Sequence, residues 1–276
     1  MFNERIVKTA KILIVLAACV VAISVAGFTV NAPVFCVTVL TSRGTLTAAA
    51  INNVPNIPNT PGNIDGTGCD IADYVNTSTS VSGFIVHDAN RYGIFVDSLL
   101  GPVTVSITNT MVHDIGKHTG TAFTPDGVQT GIGIIYDSGA SGPLAQGSIT
   151  TSNVYNYQKG GIVINHNSNV TTTDNTVTGL GPVDFIAQNG IEYARDAVGV
   201  IRGNTVSNNF YTGKTGVLAD SSPCGGTYPP CPPGRQYVST GILLVLIDPN
   251  NIQRGQNDVS QGNQHNYAVI TDSPTD

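Results

Sequence analysis

Two short phrases recur along this chain, and their recurrence limits the possible folds more than any other feature. One is a Gly-Ile pair opening a short apolar run; the other is an Asn-x-Val step that follows it. The clearest copy is Gly161-Ile162-Val163-Ile164-Asn165-His166-Asn167 with Asp174-Asn175-Thr176-Val177. The next runs from Gly190-Ile191-Glu192-Tyr193-Ala194-Arg195-Asp196 to Gly203-Asn204-Thr205-Val206. The Gly-Ile pairs start at 93, 131, 161, 190 and 241, and the Asn positions at 109, 153, 175, 204 and 257. A bare repeat of about 22 residues with insertions of varying length accounts for both series. Such a unit cannot bury its apolar side alone, so successive copies must stack. Stacked strands lie about 4.8 Å apart, so equivalent positions form columns. Ile94, Ile132, Ile162, Ile191 and Ile242 are expected in one inward column, and Val112, Val154, Val177, Val206 and Val259 in another. The Asn before each Val is expected to stack at a turn, where it tolerates a bent backbone.

Charged residues make up 11% of the chain, less than half the usual share, and 41% is hydrophobic. Regular apolar spacing at that content argues against disorder. Arg5, Lys8 and Lys11 precede an uncharged stretch from Ile12 to Val30, the form of a secretory signal. Ser24-Val25-Ala26 offers a cleavage site before Gly27. Two rivals are an uncleaved membrane anchor over Ile12 to Val30 and a lipobox, Leu16-Ala17-Ala18-Cys19. All three place the body outside the cytoplasm: secreted, periplasmic or at the cell surface. Loss of residues 1–26 removes three positive charges and Glu4, taking the net charge from −6 to about −8. An acidic body disfavours nucleic acid and anionic membrane as partners. It can meet an acidic polymer only through a local basic site or a bridging cation.

Residues 27–76 read as an N-terminal cap and loop, and residues 77–276 as the repeat domain, with insertions near 117–130 and 214–239. Cys36 and Cys69 flank the Asn- and Pro-rich loop, and Cys224 and Cys231 bracket a short Pro-rich stretch. In an exported chain a disulfide is the natural reading for each pair.

The phrases Ser82-Gly83-Phe84-Ile85-Val86 and Tyr92-Gly93-Ile94, with the Asn-x-Val steps, resemble the repeats of the right-handed parallel β-helix proteins, the pectin-lyase-like group. The resemblance covers Thr77 to Ile270. It implies an all-β, right-handed parallel β-helix solenoid of about five to seven rungs, with an N-terminal cap and two loop insertions. It also implies a polysaccharide or cell-surface glycan as partner. The group includes lyases, glycosidases, uronate epimerases and catalytically empty surface proteins. The signature stretches of its polygalacturonases, pectate lyases and alginate epimerases are absent here. The expected function is therefore carbohydrate binding, with a polysaccharide-acting enzyme as the alternative.

Counting from each Gly aligns Tyr136-Asp137, His166-Asn167 and Arg195-Asp196 at one strand end, with Glu192 nearby. A base, a cation for a sugar carboxylate and a phenol are ingredients of acid–base chemistry on uronates. Tyr136, His166, Arg195 and Asp196 are the catalytic candidates; Asp137, Asn167 and Glu192 are the substrate-binding ones. The plainer alternative is a solvated turn. His87-Asp88 and His113-Asp114 form a second polar cluster, with Lys117, His118 and Asp126 close in sequence. Paired His and Asp can bind a metal or orient an imidazole. Against that, Asn156 and Asn208 occupy the same turn position in later copies, so the two Asp residues also read as turn caps. No metal ligand set and no cofactor is assigned, a bridging calcium ion being the one exception allowed.

Overall fold

The computed structural model describes residues 35–56, 62–212, 239–255 and 258–270. The signal, anchor and lipobox readings, Cys224 and Cys231, and nearly all of the second insertion lie outside them. The described residues are all-β, with a single 3-10 turn and no α-helix. No described helix is long and apolar enough to cross a membrane.

Three sheets of mainly parallel strands carry the chain. The long sheet stacks Gly44–Ile51, Ile71–Val75, Tyr92–Asp97, Ile132–Asp137, Gly160–Asn165, Asn189–Ala194, Thr240–Val245 and His265–Ile270. The second sheet holds the Asn-x-Val steps, including Ile85–His87, Met111–Ile115, Asn153–Tyr157, Thr176–Val183 and Thr205–Tyr211. The third includes Val103–Thr108, Ala145–Thr150, Ser168–Thr173 and Val198–Arg202. The chain visits the second, long and third sheets in rotation. Each circuit pairs in register with the one before.

Most corners are turned by a residue in the left-handed region. Asp88, Asp114, Asn156 and Asn208 serve the first corner, His166, Arg195 and Leu246 the next, and Asn109, Thr151 and Asp174 the third. Asn and Asp tolerate that backbone better than most residues, which accounts for the chain's many Asn and for the Asp at Asp88 and Asp114.

The repeated Gly and Val turn out to be two halves of one contact. A Cβ on Gly161 would lie 2.4 Å from Val177 Cγ1 and 2.6 Å from the Gly190 carbonyl oxygen. Gly133 meets Val154, and Gly190 meets Val206, in the same way. The Val methyl thus occupies the space that the Gly leaves, one circuit further on. Ile94, Ile134, Ile162, Ile191 and Ile242 follow these glycines and form the fully buried inward column. This corrects the expected column at Ile132. Gly131-Ile132-Gly133-Ile134 holds two Gly-Ile pairs, and the second one stacks. Val259 is a further correction, because Val206 pairs with Ser260 and Val259 is exposed.

The polar column beside the Val residues is likewise only partly asparagine. Ser152 N donates to Asn175 Oδ1 (2.9 Å), Asn175 N to Asn204 Oδ1 (3.1 Å), and Asn204 N to Asp258 Oδ1 (3.0 Å). Thr110 begins the series by donating its N–H to Ser152 Oγ (3.2 Å). What the position needs is a short side chain with an acceptor oxygen, so Ser, Asn and Asp all serve. Asn109 sits in the preceding turn, and Asn153 is a strand residue opposite Met111.

Parallel pairing starts earlier than the composition suggests. Asn63–Asp65 and Ile71–Val75, within the stretch read as cap and loop, already pair in register with Ile85–His87 and Tyr92–Val96. Ahead of them, Val37–Thr41 and Gly44–Ile51 form an antiparallel hairpin. Val39, Leu46 and Ala48 of this hairpin pack on Tyr92, Phe95, Ile132 and Ile135, the outer face of the long sheet. Cys36 and Cys69 are disulfide-bonded and tie the hairpin's start to the first circuit.

Candidate functional site

The hairpin covers only the first circuits of the outer face, and a depression opens where it ends. Gly160 follows Tyr92 and Ile132 in the same strand position, so the bulk that fills the covered part is missing there. The hollow measures about 160 Å³, and its lining includes Arg43, Gln129, Lys159, Asn165, Glu192 and Arg195. A larger depression of about 560 Å³ adjoins it, lined by Asn90, Arg91, Lys117, Asp126, Val128 and Thr130. The first insertion lines both, with Gln129 in the smaller and its neighbours Val128 and Thr130 in the larger.

The cations here are held in distinct ways. Arg43, at the hairpin tip, donates from Nε to Asp137 Oδ2 (2.5 Å), and its guanidinium lies 5.8 Å from the Tyr92 ring centroid. Arg91 approaches the same ring at 5.8 Å, and its Nε is buried without a hydrogen-bond partner among the described residues. Arg195 Nη1 donates to Asn165 Oδ1 (2.8 Å). Lys159 Nζ donates to the Ala187 carbonyl (2.9 Å), and burial pushes its pKa down while the nearby Glu192 works the other way. Lys117 pairs with Asp126 at 2.7 Å. Arg91 and Arg195 make no ion pair with a carboxylate among the described residues, leaving two cations available to an anion.

Asp137 lies beneath this floor, 1% exposed. It accepts from Arg43, from Gly139 N (2.9 Å) and from Asn165 Nδ2 (3.4 Å), and its Oδ1 lies 2.8 Å from His166 Nδ1. Burial alone would raise its pKa. The Arg43 charge and these hydrogen bonds outweigh it and hold the carboxyl below its usual range.

The expected catalytic column is only partly assembled. Tyr136 is fully buried, stacks with Val96 and Ile164, and donates its hydroxyl to the Val105 carbonyl (2.7 Å). It faces the interior, which corrects its placement beside His166. The reason is the same two-residue register error that misplaced Ile132. His166 and Arg195 do occupy one corner in successive circuits, and Asp137 reaches His166 from below. Asp196 is exposed beside Arg195 and does not line the depression. Asn167 is an exposed turn residue whose N–H donates to Ser138 Oγ (2.9 Å). Glu192 lines the hollow and accepts from Asn189 Nδ2 (2.9 Å). The residues missed were Arg43, Arg91, Lys159 and Gln129. The three cations had a signal only as scarcity, since few cations remain in an acidic body once the leader is set aside, and Gln129 had none.

No protein-family model, curated protein or solved structure matches this chain. The likeness to the pectin-lyase-like group therefore rests on the repeat phrases alone.

Proposed function

We propose that this chain is an exported right-handed parallel β-helix protein that binds an anionic carbohydrate across the outer face of its long sheet. The rotation of the chain through three sheets supports the helix, and the right hand is the one parallel crossovers almost always take. The disulfide is compatible with an oxidising, extracytoplasmic setting. The observation that carries the ligand class is the concentration of cations. Five of the twelve Lys and Arg residues (Arg43, Arg91, Lys117, Lys159 and Arg195) line two adjoining depressions of a net-acidic chain. Uronate or sulfate groups spaced along a polymer suit Arg91 and Arg195, which have no carboxylate of their own. The exposed Gln129 supplies hydrogen-bonding groups for hydroxyls.

Affinity electrophoresis in gels containing polygalacturonate, alginate or neutral dextran tests this. Retardation is expected with the acidic polymers only, fading as salt screens the charges. The Arg91→Ala/Arg195→Ala double variant is expected to bind at least about tenfold more weakly, since each charge-assisted hydrogen bond contributes about 1.5–3 kcal/mol. Equal retardation by dextran, or an unaltered double variant, defeats the proposal. The enzyme alternative loses Tyr136 and keeps an imidazole oriented by Asp137. New reducing ends, unsaturated uronates or epimerised residues in the same polymers would favour it.

A further inference from the structure

The second polar cluster is assembled at the other end of the long sheet's circuits, and one member of it is unsatisfied. Asp88 turns its corner with φ 61°, so its carboxylate projects beside the strand end. Its Oδ2 lies 2.8 Å from His87 Nδ1. Its Oδ1 lies 3.4 Å from His118 Nε2, an atom that is buried and has no hydrogen-bond partner among the described residues. The His118 side chain is only 5% exposed. Asp65, from the preceding circuit, joins His87 and Asp88 with ligand atoms all within 4.8 Å of one another.

The protonation pattern shows what is missing. His118 Nδ1 lies 2.9 Å from the Gly116 carbonyl, which can only accept, so Nδ1 carries the hydrogen. In the neutral ring Nε2 is then a bare lone pair directed at a carboxylate oxygen. His87 repeats the pattern, with Nε2 3.1 Å from Asn63 Oδ1 and Nδ1 facing Asp88. At His118, where the carbonyl fixes the tautomer, the lone pair and the carboxylate oxygen converge and call for a cation, a proton or a metal ion, between them. Donation from one ring nitrogen to a backbone carbonyl is also what usually orients an imidazole whose other nitrogen binds a metal.

The next circuit provides an internal control. His113 Nδ1 lies 2.8 Å from Asp114 Oδ2, as in the His87–Asp88 pair. There, however, Asp114 Oδ1 accepts from Asn156 Nδ2 at 2.9 Å. A neutral amide donor stands where the first circuit has the His118 lone pair. The same corner is therefore closed by hydrogen bonds in one circuit and left open to a cation in the other.

We propose that Asp65, His87 and Asp88 form a binding site for one zinc-type divalent transition ion, and that the His118 ring beside Asp88 moves in as its fourth ligand, which clamps the first insertion to the sheet. Two imidazole nitrogens with two carboxylates suit Zn²⁺ better than Ca²⁺ or Mg²⁺, which prefer all-oxygen sets. His118 opens the short hairpin His118–Thr119/Ala122–Phe123 of the insertion, so ligation would fix the wall that both depressions share. The site is independent of the carbohydrate proposal. The sequence pointed to His87, Asp88 and His118 as one cluster but read Asp88 as a turn cap, and it had no means of bringing in Asp65 from the preceding circuit.

The full-length chain, stripped with chelator, held in mild detergent and with free thiols alkylated, is titrated with Zn²⁺ by calorimetry and with Co²⁺ by visible absorption. One ion per chain is expected, with the intense d–d bands of a tetrahedral Co²⁺ site. His118→Gln and Asp65→Asn are each expected to bind more than about tenfold more weakly, while His113→Gln binds as the parent does. If His118→Gln does not fold, Asp65→Asn carries the comparison. Absence of binding by the parent overturns the proposal and leaves a proton as the cation. So does a His113→Gln defect as large as that of Asp65→Asn, or parental affinity in Asp65→Asn.

Discussion

Replacing Gly161 by alanine is expected to lower the free energy of unfolding by about 3 kcal/mol or more, the upper range for overpacking a closed core. The new methyl would meet Val177 Cγ1 at 2.4 Å and the Gly190 carbonyl oxygen at 2.6 Å. The Val methyl can be moved by a rotamer change, but the carbonyl belongs to the sheet ladder and cannot. Gly160→Ala, one residue earlier, is the control. Its Cβ would meet only the Val163 side chain closely, at 3.0 Å, and should cost less than about 1.5 kcal/mol. Urea midpoints of the two variants decide the matter. Equal losses would mean that glycine is required there for some reason other than the stacked Gly–Val contact.

The second large effect is a pH dependence, and it comes from Asp73. This residue pairs with Ile94 in the inward column, so it brings a carboxyl into the apolar interior near the start of the array. It is fully buried, Oδ1 accepts from Asn53 N (3.1 Å), and Oδ2 has no hydrogen-bond partner among the described residues. Burial pushes its pKa up to about 7, with the Asn53 N–H opposing only weakly. Between about pH 4 and pH 7 the unfolded chain has lost this proton while the folded chain keeps it. Folding therefore takes up a proton, and stability falls as pH rises through that window. The full loss is on the order of 4 kcal/mol. Asp73→Asn should match the parent near pH 4 and exceed its stability at pH 8 by a few kcal/mol. Taking the difference between variant and parent removes the opposite slope from carboxylates such as Asp137, whose pKa is held low. A difference that does not change between pH 4 and pH 8 would show that Asp73 is ionised in the folded chain throughout.

The repeat phrases held the interior of this protein almost complete. Side chains alternate along a strand and parallel circuits pair in register, so periodic Gly, Ile and Val positions translate directly into columns. Where the phrase was ambiguous, the columns slipped. Gly131-Ile132 and Gly133-Ile134 are equally good copies in one dimension. Only packing selects the second, because Gly133 is the one that meets Val154. That slip carried Tyr136 from the interior to an imagined surface site.

The candidate sites were legible to a smaller degree. His166, Arg195 and Glu192 belong to the repeat, so their neighbourhood followed from spacing. Arg43 reaches Asp137 from a hairpin folded back over the outer sheet, and Arg91 and Gln129 arrive through a corner and an insertion. Asp65 and His118 meet at Asp88 from opposite sides in sequence. Such encounters have no period. The sequence by itself determined which residues stack, because stacking is a local rule applied repeatedly. Only the tertiary structure decided which distant side chains meet across the outer face and at Asp88. That depends on where hairpin and insertion fold back, and their paths are set by surfaces that exist only once the circuits are built.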